Sequence, residues 1–292
     1  MKMRYSASCL AALAVASAGS LAVAQDGQGI PTSGLTLRAL QDTPTQFGNA
    51  TGGGQNSAGG SELNALYGDI DNVNGVLNLG ITGNLEANFN KLWIFFDAVD
   101  GGESTLLADN ADGGFNEINN LAGLSFSGAT MDHVLRFEVG FNDNFYGVNL
   151  GDLNENTAMS IVSGNPNDDF PLSAVGSNGI SVGWDNSNVL GVDDTQALTA
   201  ATATTGIELS IDLLTAFGPT QGDIQVTAFV SSGDGTFLSN QVLPGIGGGG
   251  NLGSPSGVTL GTVTIPGNAV PEPATLALLG LGGLAMLGRR RA

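Results

Sequence analysis

Apolar and polar residues alternate along much of this chain with a period of two. Leu77, Leu79 and Ile81 are interleaved with Asn78, Gly80 and Thr82. Leu135, Phe137, Val139 and Phe141 are interleaved with Arg136, Glu138 and Gly140 in the same way. Ile207, Leu209, Ile211 and Leu213 alternate with Glu208, Ser210 and Asp212, and Ile224, Val226, Ala228 and Val230 repeat the pattern. Successive side chains of a strand point to opposite faces, so each run predicts a strand with one face in a core and one in water. Leu92-Trp93-Ile94-Phe95-Phe96 is apolar at every position, which predicts a central strand covered on both faces. Turn signals fall between the runs at Asp71-Asn72-Val73-Asn74-Gly75, Asn178-Gly179 and Gly233-Asp234-Gly235-Thr236. Helical spacing is confined to short stretches, Asn116 to Leu121 and Leu213 to Phe217. Short strands, Gly-rich turns and few helices predict an all-β, jelly-roll-like two-sheet sandwich over residues 61–266.

The segments flanking that body have a different character. Residues 1–24 carry Lys2 and Arg4, then an apolar stretch centred on Leu10 to Val15, then Ala22-Val23-Ala24. This is the layout of a secretory signal helix cleaved after Ala24, leaving Gln25 first. Residues 25–60 are rich in Gly, Gln, Asn, Thr and Ser and predict a flexible leader with one strand near Leu35 to Leu37. The tail, 267–292, contains Pro271-Glu272-Pro273, an apolar run over 274–288 and Arg289-Arg290-Arg291. Proline cannot sit inside a helix, so a short hydrophobic helix starts after Pro273. Its fifteen residues reach about 22 Å, short of a hydrocarbon core of roughly 30 Å. Such a segment suits a membrane stop held on the cytoplasmic side by its arginines better than a permanent anchor.

The tail resembles the PEP-CTERM sorting signal of bacterial exported proteins, in which a Pro-Glu-Pro motif, an apolar helix and a basic end occur in this order. The resemblance implies processing near Pro271 to Pro273 by an exosortase-type membrane protease; the signal-peptidase site, Ala22 and Ala24 before Gln25, is the cut at the other end. Gly83-Asn84-Leu85-Glu86, Asn90-Lys91-Leu92, Ile94-Phe95-Phe96-Asp97 and Ser239-Asn240-Gln241-Val242-Leu243-Pro244-Gly245 resemble a domain that recurs in such proteins. That domain is similar in general plan to sandwich modules that bind carbohydrate. No catalytic or sugar-binding residue is carried over by the likeness.

Charge narrows the partners. Residues 25–271 hold three basic residues, Arg38, Lys91 and Arg136, against 26 acidic ones, a net charge of −23. Nucleic-acid binding needs a basic footprint, so it is excluded. Cys9, the single cysteine, lies in the signal segment, so the exported part has no disulfide and no thiolate metal site.

The densest group of candidate ligands follows the central strand: Asp97, Asp100, Glu103, Asp109, Asp112 and Glu117, with Gly101-Gly102 and Gly113-Gly114 among them. Calcium takes six to eight oxygens from carboxylates and carbonyls on turns, so Asp97, Asp100, Asp109 and Asp112 are the candidate calcium ligands. The spacing is not that of an EF-hand. The same composition also describes a polar turn region in an acidic protein. His133 is the single histidine and shares strand parity with Leu135 and Phe137, which reads as a packed or rim side chain. No Gly-x-Ser-x-Gly elbow accompanies it. Of the two tryptophans, Trp93 lies in the most apolar strand, whereas Trp184, beside Asp185 and Asn186, is the candidate surface platform for a sugar ring.

The expectation is therefore an exported, non-enzymatic protein of the cell surface or extracellular matrix with a weak carbohydrate-binding role. No cofactor other than calcium is expected. Its partners are the two proteases, the membrane through the tail helix before processing, and a polysaccharide. The alternative is a secreted glycan-active hydrolase using a carboxylate pair, whose carboxyls would stand roughly 5 to 9.5 Å apart.

Overall fold

The computed structural model describes residues 26–47, 60–111, 116–140, 145–193 and 199–269. The predicted signal helix with Ala22, Ala24 and Gln25, the tail from Val270 with its helix 274–288, Asp112 and Phe141 lie outside the described residues.

The alternating runs form strands where expected. In chain order these are β1 (Leu37–Leu40), β2 (Glu62–Asp71), β3 (Val76–Asn84), β4 (Lys91–Asp97), β5 (Ser125–Phe126), β6 (His133–Val139), β7 (Tyr146–Asp152) and β8 (Thr157–Gly164). They continue with β9 (Leu172–Val175), β10 (Ile180–Trp184), β11 (Gly206–Asp212), β12 (Ile224–Ser231), β13 (Leu238–Leu243), β14 (Thr259–Leu260) and β15 (Val263–Ile265). The first sheet has the order β1-β2-β3-β11-β10-β9 and the second β13-β12-β4-β6-β7-β8, with β15 also paired to β12. Every pairing within these two sheets is antiparallel. The short helical stretches are single turns, Glu117–Leu121 and Leu213–Ala216. The second is capped by Asp212, whose carboxylate accepts from the Thr215 N–H at 3.1 Å.

Strand parity sorts the side chains into two cores. Leu77, Leu79 and Ile81 of the first sheet and Leu92, Ile94, Phe96, Leu135, Phe137 and Val139 of the second fill the space between the sheets. Trp93 and Phe95, the odd positions of β4, point the other way and build a second cluster with Leu106, Ile118, Leu121, Leu124, Phe126 and Met131. The segment from Leu106 to Met131 thus folds over the outer face of the second sheet. This is why β4 is apolar at successive positions: it is the central strand of a sheet covered on both sides.

The stretch expected to be a loose leader is built into the fold over 26–47, with β1 in the first sheet and contacts beyond it to β13 of the second. Ile30 is fully buried against Ala65 and Tyr67. β1 lies at Leu37–Leu40, shifted from the expected Leu35 to Leu37. Beyond it, the buried Gln41 donates from Nε2 to the Val242 carbonyl, and the Thr45 N–H donates to the Asp193 carbonyl. Buried polar groups are tolerated when hydrogen-bonded, and that is how this polar stretch packs without many apolar residues. No helix among the described residues is long and apolar enough to cross a membrane.

Candidate functional site

Among the described residues the cover over the second sheet stops short of one end, and there the outer face carries charge. Register explains which residues meet. Lys91 on β4 pairs with Glu138 on β6, which pairs with Gly147 on β7, which pairs with Ser163 on β8. One row further along, Trp93, Arg136, Asn149 and Ser160 stand side by side on the same four strands. Two rows of outward side chains therefore cross the sheet, one of them interrupted by a glycine.

Glu117, on the turn of the covering segment, closes over these rows. Its Oε2 accepts from Arg136 Nη1 at 2.9 Å and its Oε1 lies 3.7 Å from Lys91 Nζ. Arg136 Nη2 donates to Glu138 Oε1 at 3.1 Å, and Lys91 Nζ donates to Glu138 Oε2. Among the described residues the four side chains form a ring of alternating charge, Lys91–Glu138–Arg136–Glu117, and each residue is between 2% and 7% exposed. Two of the three cations in the acidic body are thus spent on one patch of one sheet. Desolvating two charges is expensive, and only mutual pairing with good hydrogen bonds offsets it.

Over this floor lies a groove of about 690 Å³, lined also by Phe89, Phe145, Gly147, Asn149, Ser160 and Ser163. Phe89 and Phe145 are large apolar side chains left 36% and 37% exposed at its edge. Phe89 has φ of +68°, a conformation bulky residues rarely adopt, and its N–H donates to the Val139 carbonyl at 2.8 Å. Two glycines make room for the rings. A Cβ at Gly140 would stand 3.0 Å from the Phe89 ring, and one at Gly147 would stand 3.0 Å from the Phe145 ring.

The residues singled out from sequence are placed differently. Trp184 is not at the surface: it is 1% exposed, packed edge-on to Phe137 at 5.5 Å and against Phe170 at 4.9 Å. Its polar neighbours turn inward as well. Asn186 accepts from the Leu85 N–H and donates to the Leu85 carbonyl, and Asp185 accepts from the Ser187 N–H. Parity could have shown this, since Trp184 follows Ile180 and Val182 at even spacing on β10.

Among the described residues the acidic stretch after β4 does not gather. Asp97 accepts from the Thr130 N–H at 3.0 Å, and burial pushes its carboxyl above the usual range. Asp100 and Asp109 are exposed, and Glu103 accepts from the Leu107 N–H and Asn110 Nδ2. Among the described residues no three Asp, Glu, His or Cys side chains converge to hold a metal ion. Glu117 leaves the group altogether for Lys91 and Arg136. His133 faces inward, 3% exposed, with Nδ1 2.5 Å from Asp132 Oδ1 and its ring 4.6 Å from that of Phe217. Asp132 is itself held by the Ala98 and Val99 N–H groups.

Comparison with known proteins bears on the tail. Residues 269–291 match the PEP-CTERM protein-sorting motif, so the chain carries that sorting signal on an all-β body. No curated protein and no solved structure matches the chain.

Proposed function

We propose that this chain is an exported, non-enzymatic protein of the cell surface or extracellular matrix, sorted and trimmed through its PEP-CTERM tail, whose jelly-roll-like sandwich binds carbohydrate in the groove over Lys91, Arg136, Glu117 and Glu138. The observation that carries the binding half is the groove itself, in which half-exposed Phe89 and Phe145 flank a floor of buried donors and acceptors. Sugars are recognised by that combination, an apolar ring face on an aromatic side chain and hydroxyls on fixed polar groups.

The position of the groove suits a protein held by its tail. β15, which leads to Ala269 and the motif, pairs with the Ile224 end of β12. Lys91 pairs with Ser231 at the other end of that strand. At about 3.3 Å per residue the groove stands roughly 20 Å from the tail's point of departure. A chain stopped in the membrane at residues 274–288 would carry its groove at the end of β12 remote from the tail.

A glycan-active hydrolase would draw on Glu117 and Glu138, the two carboxylates the groove brings together. Both, however, are tied to the same guanidinium, whereas hydrolysis needs one carboxyl to give a proton to the leaving oxygen. A glycan array probed with the full chain tests the proposal: binding with no reducing ends released is the expected result. Release of reducing ends that stops in Glu138→Gln would replace it with the hydrolase. Intact mass of the exported protein tests the sorting half, with a start at Gln25 and loss of Arg289 to Arg291 expected.

A further inference from the structure

Asn149 is 8% exposed, lines the groove between Arg136 and Ser160, and its side-chain amide makes no hydrogen bond among the described residues. A primary amide offers two donors and a carbonyl acceptor, and neither polar atom of this one is among the buried side-chain atoms left without a partner, so it is open to the groove. Ser160 and Ser163, beside it on β8, are exposed and have hydroxyls with no partner among the described residues. The polar half of the groove wall is therefore directed at whatever enters the groove rather than at the protein.

We infer that the groove takes a neutral glycan, not an acidic or a basic one, with Asn149 as the residue that reads its hydroxyls; this rests on the carbohydrate reading above. Among the described residues the ring beneath the groove is formally neutral, two cations against two carboxylates, each engaged with both neighbours. An anionic sugar would have to draw Lys91 or Arg136 away from a buried carboxylate. A cationic sugar would have to draw Glu117 or Glu138 away from a buried cation. A neutral hydroxyl does neither, because it donates and accepts at once. It can add to lone pairs that Glu138 still offers, since each of its oxygens takes one bond from the ring and has capacity for another. The body's net charge of −23 repels polyanions before they reach the groove. Phe145, lying over Gly147 and 37% exposed, supplies the flat apolar surface that a pyranose face requires.

The test is the affinity of the full chain for neutral hexasaccharides (cellohexaose, maltohexaose and mannohexaose) against an oligogalacturonate, a hyaluronan hexasaccharide and a chitosan hexamer, at low and at moderate salt. The expected result is binding to a neutral member, insensitive to salt, and weakened about tenfold by Asn149→Ala with an unchanged melting temperature. Should Asn149→Ala not fold, Ser163→Val on the exposed edge strand narrows the groove and should give the same loss. Preference for an acidic or a basic hexamer would overturn the neutral assignment and leave the carbohydrate reading standing. Neutral binding untouched by both variants would overturn the role of Asn149. Binding to none of the six would remove the carbohydrate reading and this inference with it.

Discussion

Lys91 and Glu138 stand directly opposite each other on β4 and β6, 47 residues apart in the chain, and their side chains meet on the outer face of the sheet. Both are nearly inaccessible, so neither charge can fall back on water when the other is removed. Lys91→Met or Glu138→Leu should therefore destabilise the fold by about 3–5 kcal/mol. The double variant Lys91→Met with Glu138→Leu should lose clearly less than the two single losses combined, because it leaves no uncompensated charge in that pair. Urea unfolding of the four proteins checks both points; strict additivity would show that the pair is not coupled.

Trp184 is a core residue, filling the space between β6, β10 and the Phe170 segment. Trp184→Ala should cost about 3–5 kcal/mol, as large-to-small changes at buried aromatic sites do. Trp184→Phe should be far milder and should leave glycan affinity unaltered. Affinity lost in the phenylalanine variant at full stability would return this tryptophan to the binding surface.

Glu208 is 8% exposed, and burial raises its carboxyl above the usual range while the Gly27 N–H, donating at 3.1 Å, partly opposes this. A carboxyl whose folded pKa lies above its unfolded one holds its proton more readily when folded. Its contribution to stability is full below the unfolded pKa and is lost as pH rises through the folded pKa. Asp97 and Glu86, also raised by burial, act in the same direction. Thermal melts should therefore show stability rising as pH is lowered from neutral toward the ordinary carboxylate range. Glu208→Gln, which keeps the acceptor for Gly27, should raise the melting temperature at pH 7 and flatten that slope. An unchanged slope would contradict the assignment to Glu208.

Calcium and magnesium at equal ionic strength should raise the melting temperature alike, through screening of the acidic surface alone. Asp97 and Glu103 are held by backbone donors, and Asp100 and Asp109 point to solvent, so the described part of the acidic stretch has no preformed cage. A larger shift with calcium, abolished by Asp109→Asn with Asp112→Asn, would restore a calcium site there.

Strand positions were legible because alternation is a local property: β3, β6, β11 and β12 each announce themselves within seven to nine residues. The groove was not legible, because it exists only through register. Arg136 and Glu138 are the charges of one alternation and Lys91 precedes an apolar run, and nothing near them in sequence says which neighbours they meet. Glu117 was read with Asp97 and Asp109, its neighbours in the chain, whereas the covering segment delivers it to two cations on the sheet. One signal was available: of the three basic residues in the body, Arg136 lies at an outward position of a predicted strand and Lys91 directly precedes another. For Trp184 the polar pair Asp185 and Asn186 outweighed parity, because the sequence does not show that their side chains bind backbone within the fold.

The location of a bound sugar tests the account most directly. Backbone amide shifts of the ¹⁵N-labelled protein, titrated with the neutral hexasaccharide that binds tightest, should move at Lys91, Gly147, Asn149, Ser160 and Ser163 and at the side-chain amide of Asn149. They should not move in Gly147→Val, whose side chain displaces the Phe145 ring and fills the groove. Shifts confined to the outer face of the first sheet, or persisting unchanged in Gly147→Val, would contradict it.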